Sequence, residues 1–284
     1  MNSIHTLFES PYNKQRPVFA LVRFVYWKLI RLFKRKDVKY QLWDNCLILL
    51  NYDSFQSMWI MYNYFVDWEE FNLIKKYLKQ NDTVFDIGSN MGFYTIWMSK
   101  FLVQGKIHAF EPDPENFKRL QKNIALNNFQ NLVEANQSAV SDVDGELWFT
   151  SGLDGENHIV DLNLQNTLSI KSQKLDSYVY QHHISTSIAY MKIDVEGFEY
   201  AVLKGANSIL INKQIEIIQL EINKTIKYSG KDIDHLLTLL NFYQYSLCSY
   251  DVNANQLRRV EFKAERENYF AVNDIEKINL KLKS

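Results

Sequence analysis

Thr83-Val84-Phe85-Asp86-Ile87-Gly88-Ser89-Asn90-Met91-Gly92-Phe93-Tyr94-Thr95 reads as a strand, a sharp turn and the start of a helix. A second strand, Lys106-Ile107-His108-Ala109-Phe110, closes on Glu111-Pro112, 25 residues beyond Asp86. Glycines at 88 and 92 permit the tight turn and a close approach of backbone N–H groups to a ligand. An acid at the end of the next strand can accept both hydrogen bonds of a ribose diol. Together these features mark a nucleotide-like ligand lying across the carboxyl edge of an α/β sheet, and they point to an adenosine compound.

The dinucleotide fingerprint G-x-G-x-x-G is absent, and so is a P-loop. What remains, D-x-G-x-N-x-G followed by E-P, suits S-adenosylmethionine. The turn would meet the aminocarboxypropyl end, and the helix start near Gly92 would face its carboxylate. The candidate cofactor residues are Asp86, Gly88, Asn90, Gly92, Tyr94, Thr95, Glu111, Pro112 and Asp194. Two further strands end on acids at the same edge: Ala189-Tyr190-Met191-Lys192-Ile193-Asp194, continuing as Val195-Glu196-Gly197-Phe198-Glu199, and Ile217-Ile218-Gln219-Leu220-Glu221.

D-I-G-S-N-M-G-F-Y-T, F-E-P-D-P, K-I-D-V-E-G-F-E with V-L-K-G-A after it, and L-E-I-N occur in that order, and the chain from about 68 to 272 resembles the FkbM family of S-adenosylmethionine-dependent methyltransferases. Ser89 stands where the family usually carries Ala, and Asn241 stands near an expected Gly before the sixth strand. The resemblance implies a Rossmann-like α/β fold of class I methyltransferases. Its sheet is expected to have seven mostly parallel strands, an antiparallel last strand and helices on both faces. It also implies that Ser138 and Ala139 border the adenine, that Glu69 is a candidate for the cofactor's amino group, and that a hydroxyl is methylated on a glycan sugar or a polyketide-type product.

The chemistry needs an acceptor held in line with the sulfonium and a group to take its proton. Asp194, at the strand tip nearest the expected methyl, is the first candidate. Glu196 shares the turn, Lys192 could offset the two carboxylates, and His158 is a second possible base. A divalent metal held by Asp194, Glu221 and Asn223 is an alternative use of the same edge. No Asn/Asp-Pro-Pro-aromatic turn follows the fourth strand, which disfavours methylation of base nitrogens and nucleic acid as a partner. A sugar hydroxyl of a glycan, lipid-linked saccharide or polysaccharide precursor is the expected acceptor. A secondary metabolite, or an inactive cofactor-binding scaffold in a glycan-assembly complex, are the alternatives.

The chain has 284 residues, 46% of them hydrophobic, and no Pro/Gly/Ser-rich linker, so one large core is expected. Residues 67–284 would form the catalytic domain and residues 1–66 an N-terminal extension, with a β-hairpin at about 38–50. Cys46 and Cys248 form no ligand motif, which fits a reduced, cytoplasmic setting. The net charge is only −1, yet eight basic residues and no acid lie between positions 10 and 36. On a helix over about 17–36, Arg23, Lys28, Arg31, Lys34 and Arg35 occupy one arc, opposite Leu21, Val22, Val25, Leu29 and Leu32. The segment is too charged to span a bilayer and lacks a signal-peptide cleavage site. Two readings stay open: peripheral attachment to the inner face of an anionic membrane, or packing of the apolar arc on the domain with the basic arc solvated.

Overall fold

The computed structural model describes residues 7–8, 11–42, 45–64, 67–150, 159–160, 167–222, 233–266 and 268–283. His158, Asn223 and most of the stretch 150–166 lie outside them.

Every residue of Ile188–Ile193 is buried, and Thr83–Ile87 is nearly so. Strands with no polar alternation must be covered on both faces, the condition met by a parallel sheet between helical layers. In chain order the strands are β1 (Val38–Gln41), β2 (Leu47–Leu50), β3 (Thr83–Ile87), β4 (Lys106–Phe110), β5 (Val133–Asn136), β6 (Ala139–Val140), β7 (Gly145–Thr150), β8 (Ile159–Val160), β9 (Thr167–Gln173), β10 (Ile188–Ile193), β11 (Ile215–Glu221), β12 (Ser246–Asp251), β13 (Gln256–Arg259) and β14 (Asn268–Val272). The main sheet runs β5-β4-β3-β10-β11-β14-β12-β13. Its first five strands are parallel, and β14 is antiparallel to both of its neighbours. This is the Rossmann-like arrangement expected of the sequence, with one addition. An eighth strand, β13, joins the β12 edge because the Asp251 carboxylate accepts the N–H groups of Asn253 and Ala254 and Asn255 takes a left-handed φ of 49°, reversing the chain.

The pleat divides the core between the two faces. Val84, Ile107, Ala109, Tyr190 and Ile217 pack on one side, and Phe85, Phe110, Met191, Ile193 and Ile218 on the other. The turn before β12 needs no glycine at 241, since Gln244 takes the left-handed conformation (φ 57°) and its N–H donates to the Asn241 carbonyl. A four-stranded sheet, β6-β9-β7-β8, stands between β5 and β10 around Ala139, Phe149, Ile170 and Phe198. In sequence, Val143-Asp144-Gly145-Glu146-Leu147 reads as a hairpin turn and the stretch 150–166 as a loop. Residues 159–160 instead pair with Trp148 and Phe149, and the long closure to β9 leaves no local turn signal.

The N-terminal helix ends at Leu32 rather than near 36, because Lys34 adopts φ 46° and the Arg35 N–H returns to the Ile30 carbonyl. Its orientation also departs from expectation. Ala20, Arg23, Trp27 and Ile30 face inward, toward helix Phe55–Asn63, and Leu21, Val22, Val25, Leu29 and Leu32 face out. Of the basic arc only Arg23 turns inward, beside Ala20, Trp27 and Ile30, because it finds partners there, while Lys28, Arg31, Lys34 and Arg35 stay exposed. The Arg23 guanidinium donates to the Met61 carbonyl at 3.2 Å and to Asn13 Oδ1, and it lies 4.9 Å from the Tyr64 ring centroid. Packing of the apolar arc on the domain is therefore overturned. Among the described residues no helix is long and apolar enough to cross a membrane.

β1 and β2 pair antiparallel and dock on helix Pro114–Leu126 and the residue after it. The buried Asn123 joins the hairpin to the turn after β3: its Oδ1 accepts from the Leu49 N–H at 2.8 Å, and its Nδ2 donates to the Met91 carbonyl at 2.7 Å. Asn123→Ala leaves both backbone groups unpaired. It is expected to cost about 2–4 kcal/mol in urea unfolding, with an unchanged dependence on denaturant concentration.

Candidate functional site

The chain moves outward from β3 to β4 and β5 and returns as β10 on the other side of β3. A crevice forms at such a switch point, beyond the carboxyl ends of the strands. The register sets Asp86 beside Lys192 and Lys192 beside Gln219, in one row across β3, β10 and β11. Beyond the row the two strand tips almost touch. A Cβ on Gly88 would lie 1.8 Å from the Asp194 carbonyl oxygen, and the Asp194 N–H donates to the Ile87 carbonyl at 3.0 Å. Glycine at 88 is thus demanded by the neighbouring strand as well as by its own φ of 81°.

The amides of the turn after β3 are engaged within the protein. Gly88 and Ser89 N–H both donate to the Phe110 carbonyl, Asn90 N–H to Glu111 Oε2 at 2.7 Å, Met91 N–H to Asn90 Oδ1, and Gly92 N–H to the Ser89 carbonyl. Ser89 adds a bond from its hydroxyl to the Asp86 carbonyl at 2.7 Å. These five N–H groups are therefore spent within the protein and are not free to approach a ligand, contrary to the expectation from the sequence.

Asp86 is wholly buried. Its Oδ2 accepts from the Thr95 hydroxyl, while Oδ1 has no partner among the described residues. Burial raises its pKa against the opposing pull of Lys192 and Thr95. Lys192 is buried too, with Nζ 2.7 Å from Asp194 Oδ2 and 4.7 Å from the Tyr94 ring centroid. Burial alone would lower the lysine pKa, but the charges of Asp194, Asp86 and Glu221 carry it above the ordinary value. The ammonium of Lys192 thus stands among the carboxylates where a cation would be held. Among the described residues no group of three His, Cys, Asp or Glu side chains is arranged to hold a metal ion.

Tyr94, at the start of helix Phe93–Ser99, donates its hydroxyl to Asp67 Oδ2 at 2.6 Å and accepts from Gln219 Nε2 at 3.1 Å. Tyr190 donates to Gln219 Oε1 at 2.7 Å, so a continuous polar layer runs beneath Lys192. Glu111 is buried at the tip of β4, its oxygens accepting from Asn90 and Asp113 N–H. Burial outweighs those two bonds and pushes its carboxyl up to about 8. Pro112 follows, and Asp113 caps helix Pro114–Leu126 by accepting from Glu115 and Asn116 N–H.

Glu196 is half-buried in the turn after β10, at a left-handed φ of 49° beside Gly197 at 100°. Buried Glu199 fixes that turn by accepting from Gly197 N–H at 3.1 Å and Val195 N–H at 3.4 Å. Ser138 and Ala139 lie beyond β5, where the Ser138 hydroxyl accepts from Gln173 Nε2 at 2.6 Å and Ala139 is buried in β6. Glu69 is drawn away from this cluster into an ion pair with Arg266. The next residue, Glu70, turns inward instead. Burial, reinforced by the nearby charge of Asp67, pushes its carboxyl up to about 8.

Asp67, Glu70, Glu199, Gln219 and Arg266 escaped the sequence reading. Glu70 was findable: with Ile74 and Tyr77 it occupies the apolar stripe of helix Trp68–Tyr77, where an ordinary surface acid does not belong. Arg266 had no such signal, since its partner is 197 positions away.

Comparison with known proteins places this geometry in a family. Residues 86–247 match the sequence profile of the methyltransferase FkbM domain. The chain is 24% identical over 185 residues to hexuronic acid methyltransferase AglP of Haloferax volcanii, covering 65% of this chain and 73% of that protein. It is 29% identical over 143 residues to methyltransferase 1 of Beauveria bassiana, covering 43% of this chain and 57% of the fungal protein. A crystal structure of methyltransferase FkbM from Methylobacillus flagellatus KT superposes with a TM-score of 0.44 at 15% identity, over 69% of this chain and 44% of that one. The chain belongs to the FkbM family of S-adenosylmethionine-dependent methyltransferases.

Proposed function

We propose that this methyltransferase acts on a sugar hydroxyl of a glycan, a lipid-linked saccharide or a polysaccharide precursor. The observation that carries the reading is the Lys192–Asp194 pair at the switch-point edge, because a carboxyl group fixed in place by a buried lysine is what an uncharged hydroxyl acceptor needs beside it. Support for the acceptor class comes from the archaeal relative, whose name describes a hexuronic acid methyltransferase.

The residues at the edge fit the cofactor. The Asp86 oxygen that has no partner among the described residues suits its amino group, and the cramped backbone at Gly88 leaves room for no side chain. On this reading Asp86, Gly88, Asn90 and Gly92 hold the aminocarboxypropyl group, with Tyr94 and Thr95 bracing them from the helix behind. Glu111 accepts from the ribose diol, Pro112 shapes that corner, and Ser138 and Ala139 border the adenine. S-adenosylmethionine, when bound, supplies a methyl carbon made electrophilic by the sulfonium.

Asp194 orients the acceptor hydroxyl through the carboxylate oxygen that Lys192 leaves available. An alcohol is a far weaker acid than a carboxylic acid, so the proton reaches Asp194 late, once the new C–O bond has largely formed. Lys192 fixes the Asp194 carboxylate through its 2.7 Å contact with Oδ2, and Glu196 flanks the same turn.

The acceptor is tested by incubating the full chain with methyl-labelled cofactor and glycans containing or lacking uronic acids, beside phenolic small molecules. Label on saccharide that survives mild base is the expected outcome. Label lost to mild base would identify a carboxylate acceptor, and label only on phenols would identify a secondary metabolite; either result overturns the sugar-hydroxyl reading.

Asp194→Asn is expected to lower kcat by about 10²-fold or more in the same assay, as loss of a positioned proton acceptor does. Cofactor affinity should also depend on pH in a defined direction. Burial holds Glu111 largely protonated below its raised pKa of about 8, whereas a ribose diol donates to the ionised form. Calorimetry should therefore show affinity rising about tenfold between about pH 6 and 7 and levelling above about 8, with the slope lost and the affinity lower in Glu111→Gln.

A further inference from the structure

Helix Pro17–Leu32 presents its apolar arc to solvent. Val18 (70% exposed), Phe19 (66%), Val22 (61%), Leu32 (73%) and the following Phe33 (68%) are open, and Leu21, Val25, Tyr26 and Leu29 lie exposed among them. At 100° per residue these side chains span an arc of about 160°. An uncovered apolar surface of this kind marks a contact site. Single exposed apolar residues are ordinary, but a continuous arc along four turns of one helix is not.

The helix cannot rotate to hide this arc. Arg23 is fixed on the opposite side by the Met61 carbonyl, Asn13 and the Tyr64 ring, and Trp27 is buried beside it. The apolar arc is thus held outward by contacts that would be lost if it turned in.

Charge identifies what covers it. Lys28 and Arg31 border the arc, Lys34 and Arg35 follow its end, Lys14 and Arg16 precede it, and no acid occurs from 10 to 36. Lys14, Lys28, Arg31, Lys34 and Arg35 form no ion pair with a described residue. A second copy of the chain is a poor occupant, because a two-fold contact through this helix would bring its cations against their own copies. An anionic lipid surface satisfies both features, taking the apolar side chains at the headgroup boundary and pairing the flanking cations with phosphates.

We propose that helix Pro17–Leu32 is a monotopic docking surface for anionic membranes, with its outward apolar arc inserted and its flanking lysines and arginines on the lipid headgroups. The inference stands apart from the acceptor: a water-soluble acceptor would leave it intact, and failure to bind lipid would leave the methyltransferase reading intact.

The test is flotation of the full chain with vesicles of phosphatidylcholine and phosphatidylglycerol in equal parts, and with phosphatidylcholine alone. Binding is expected to the mixed vesicles, weakened by salt and at least about tenfold lower for Val22→Asp/Leu29→Asp and for Lys28→Glu/Arg31→Glu. Both pairs are on the surface, so thermal unfolding should match the parent, and a Lys118→Glu change on an exposed helix elsewhere should bind like the parent. Absence of flotation, or equal flotation of the Val22→Asp/Leu29→Asp chain, would overturn the proposal. So would a dimer, seen by light scattering, that this double change dissociates in a chain that ignores vesicles.

Discussion

A single buried ammonium makes the active edge possible. Lys192 stands between Asp86 on β3 and Asp194 at its own strand tip, with Glu221 of β11 acting on it as well. Carboxylates brought this close in a dry environment would have to take up protons or move apart, because burial and mutual repulsion both disfavour the charged form. The crowding is imposed by the backbone, since Gly88 lies against the Asp194 carbonyl with no room for a side chain. Lys192 resolves the conflict between strand convergence and charge repulsion, and the Tyr94 ring and the Gln219–Tyr190 layer hold it in place.

The parts of this arrangement legible in the sequence are those set by neighbours along the chain. Asp86, Gly88 and Gly92 declare a strand, a turn and a helix within ten residues, and the acid-tipped runs ending at Glu111, Asp194 and Glu221 declare parallel strands meeting at one edge. Periodicity sets Glu70 on the apolar stripe of helix Trp68–Tyr77 and Glu69 one step off it. What it could not show is the partner of Glu69, because Arg266 lies far along the chain and leaves no local signal. The four-stranded sheet from β6 to β9 was hidden for a similar reason: short strands separated by long closures leave no alternation long enough to read.

The N-terminal helix shows how a correct pattern can yield a wrong orientation. Its charges and apolar residues do segregate, but the assumption that arginine faces water fails when a rigid carbonyl, an amide and an aromatic ring are prepared to receive it. Met61 and Tyr64 lie on or just beyond a different helix, so the local pattern carries no trace of them. The same burial that conceals Arg23 exposes the apolar arc. One hydrogen-bonded cation therefore determines both the internal packing and the external surface.

Charge at the active edge must satisfy two opposed demands. A sulfonium donor is drawn to a negative pocket, yet methyl transfer dissipates its positive charge, so too strong a field would favour the bound donor over the transition state. The protein moderates the field in two ways. Lys192 cancels a full charge among the acids of the switch point, and burial pushes the Glu70 carboxyl to about 8 and that of Glu199 to about 7, so both carry protons for much of the time at neutral pH. Asp194 is only half-buried, and so keeps contact with solvent. Burial thus separates Glu70 and Glu199, whose carboxyls are pushed up, from the half-buried Asp194, and that division follows from depth in the protein rather than from residue type.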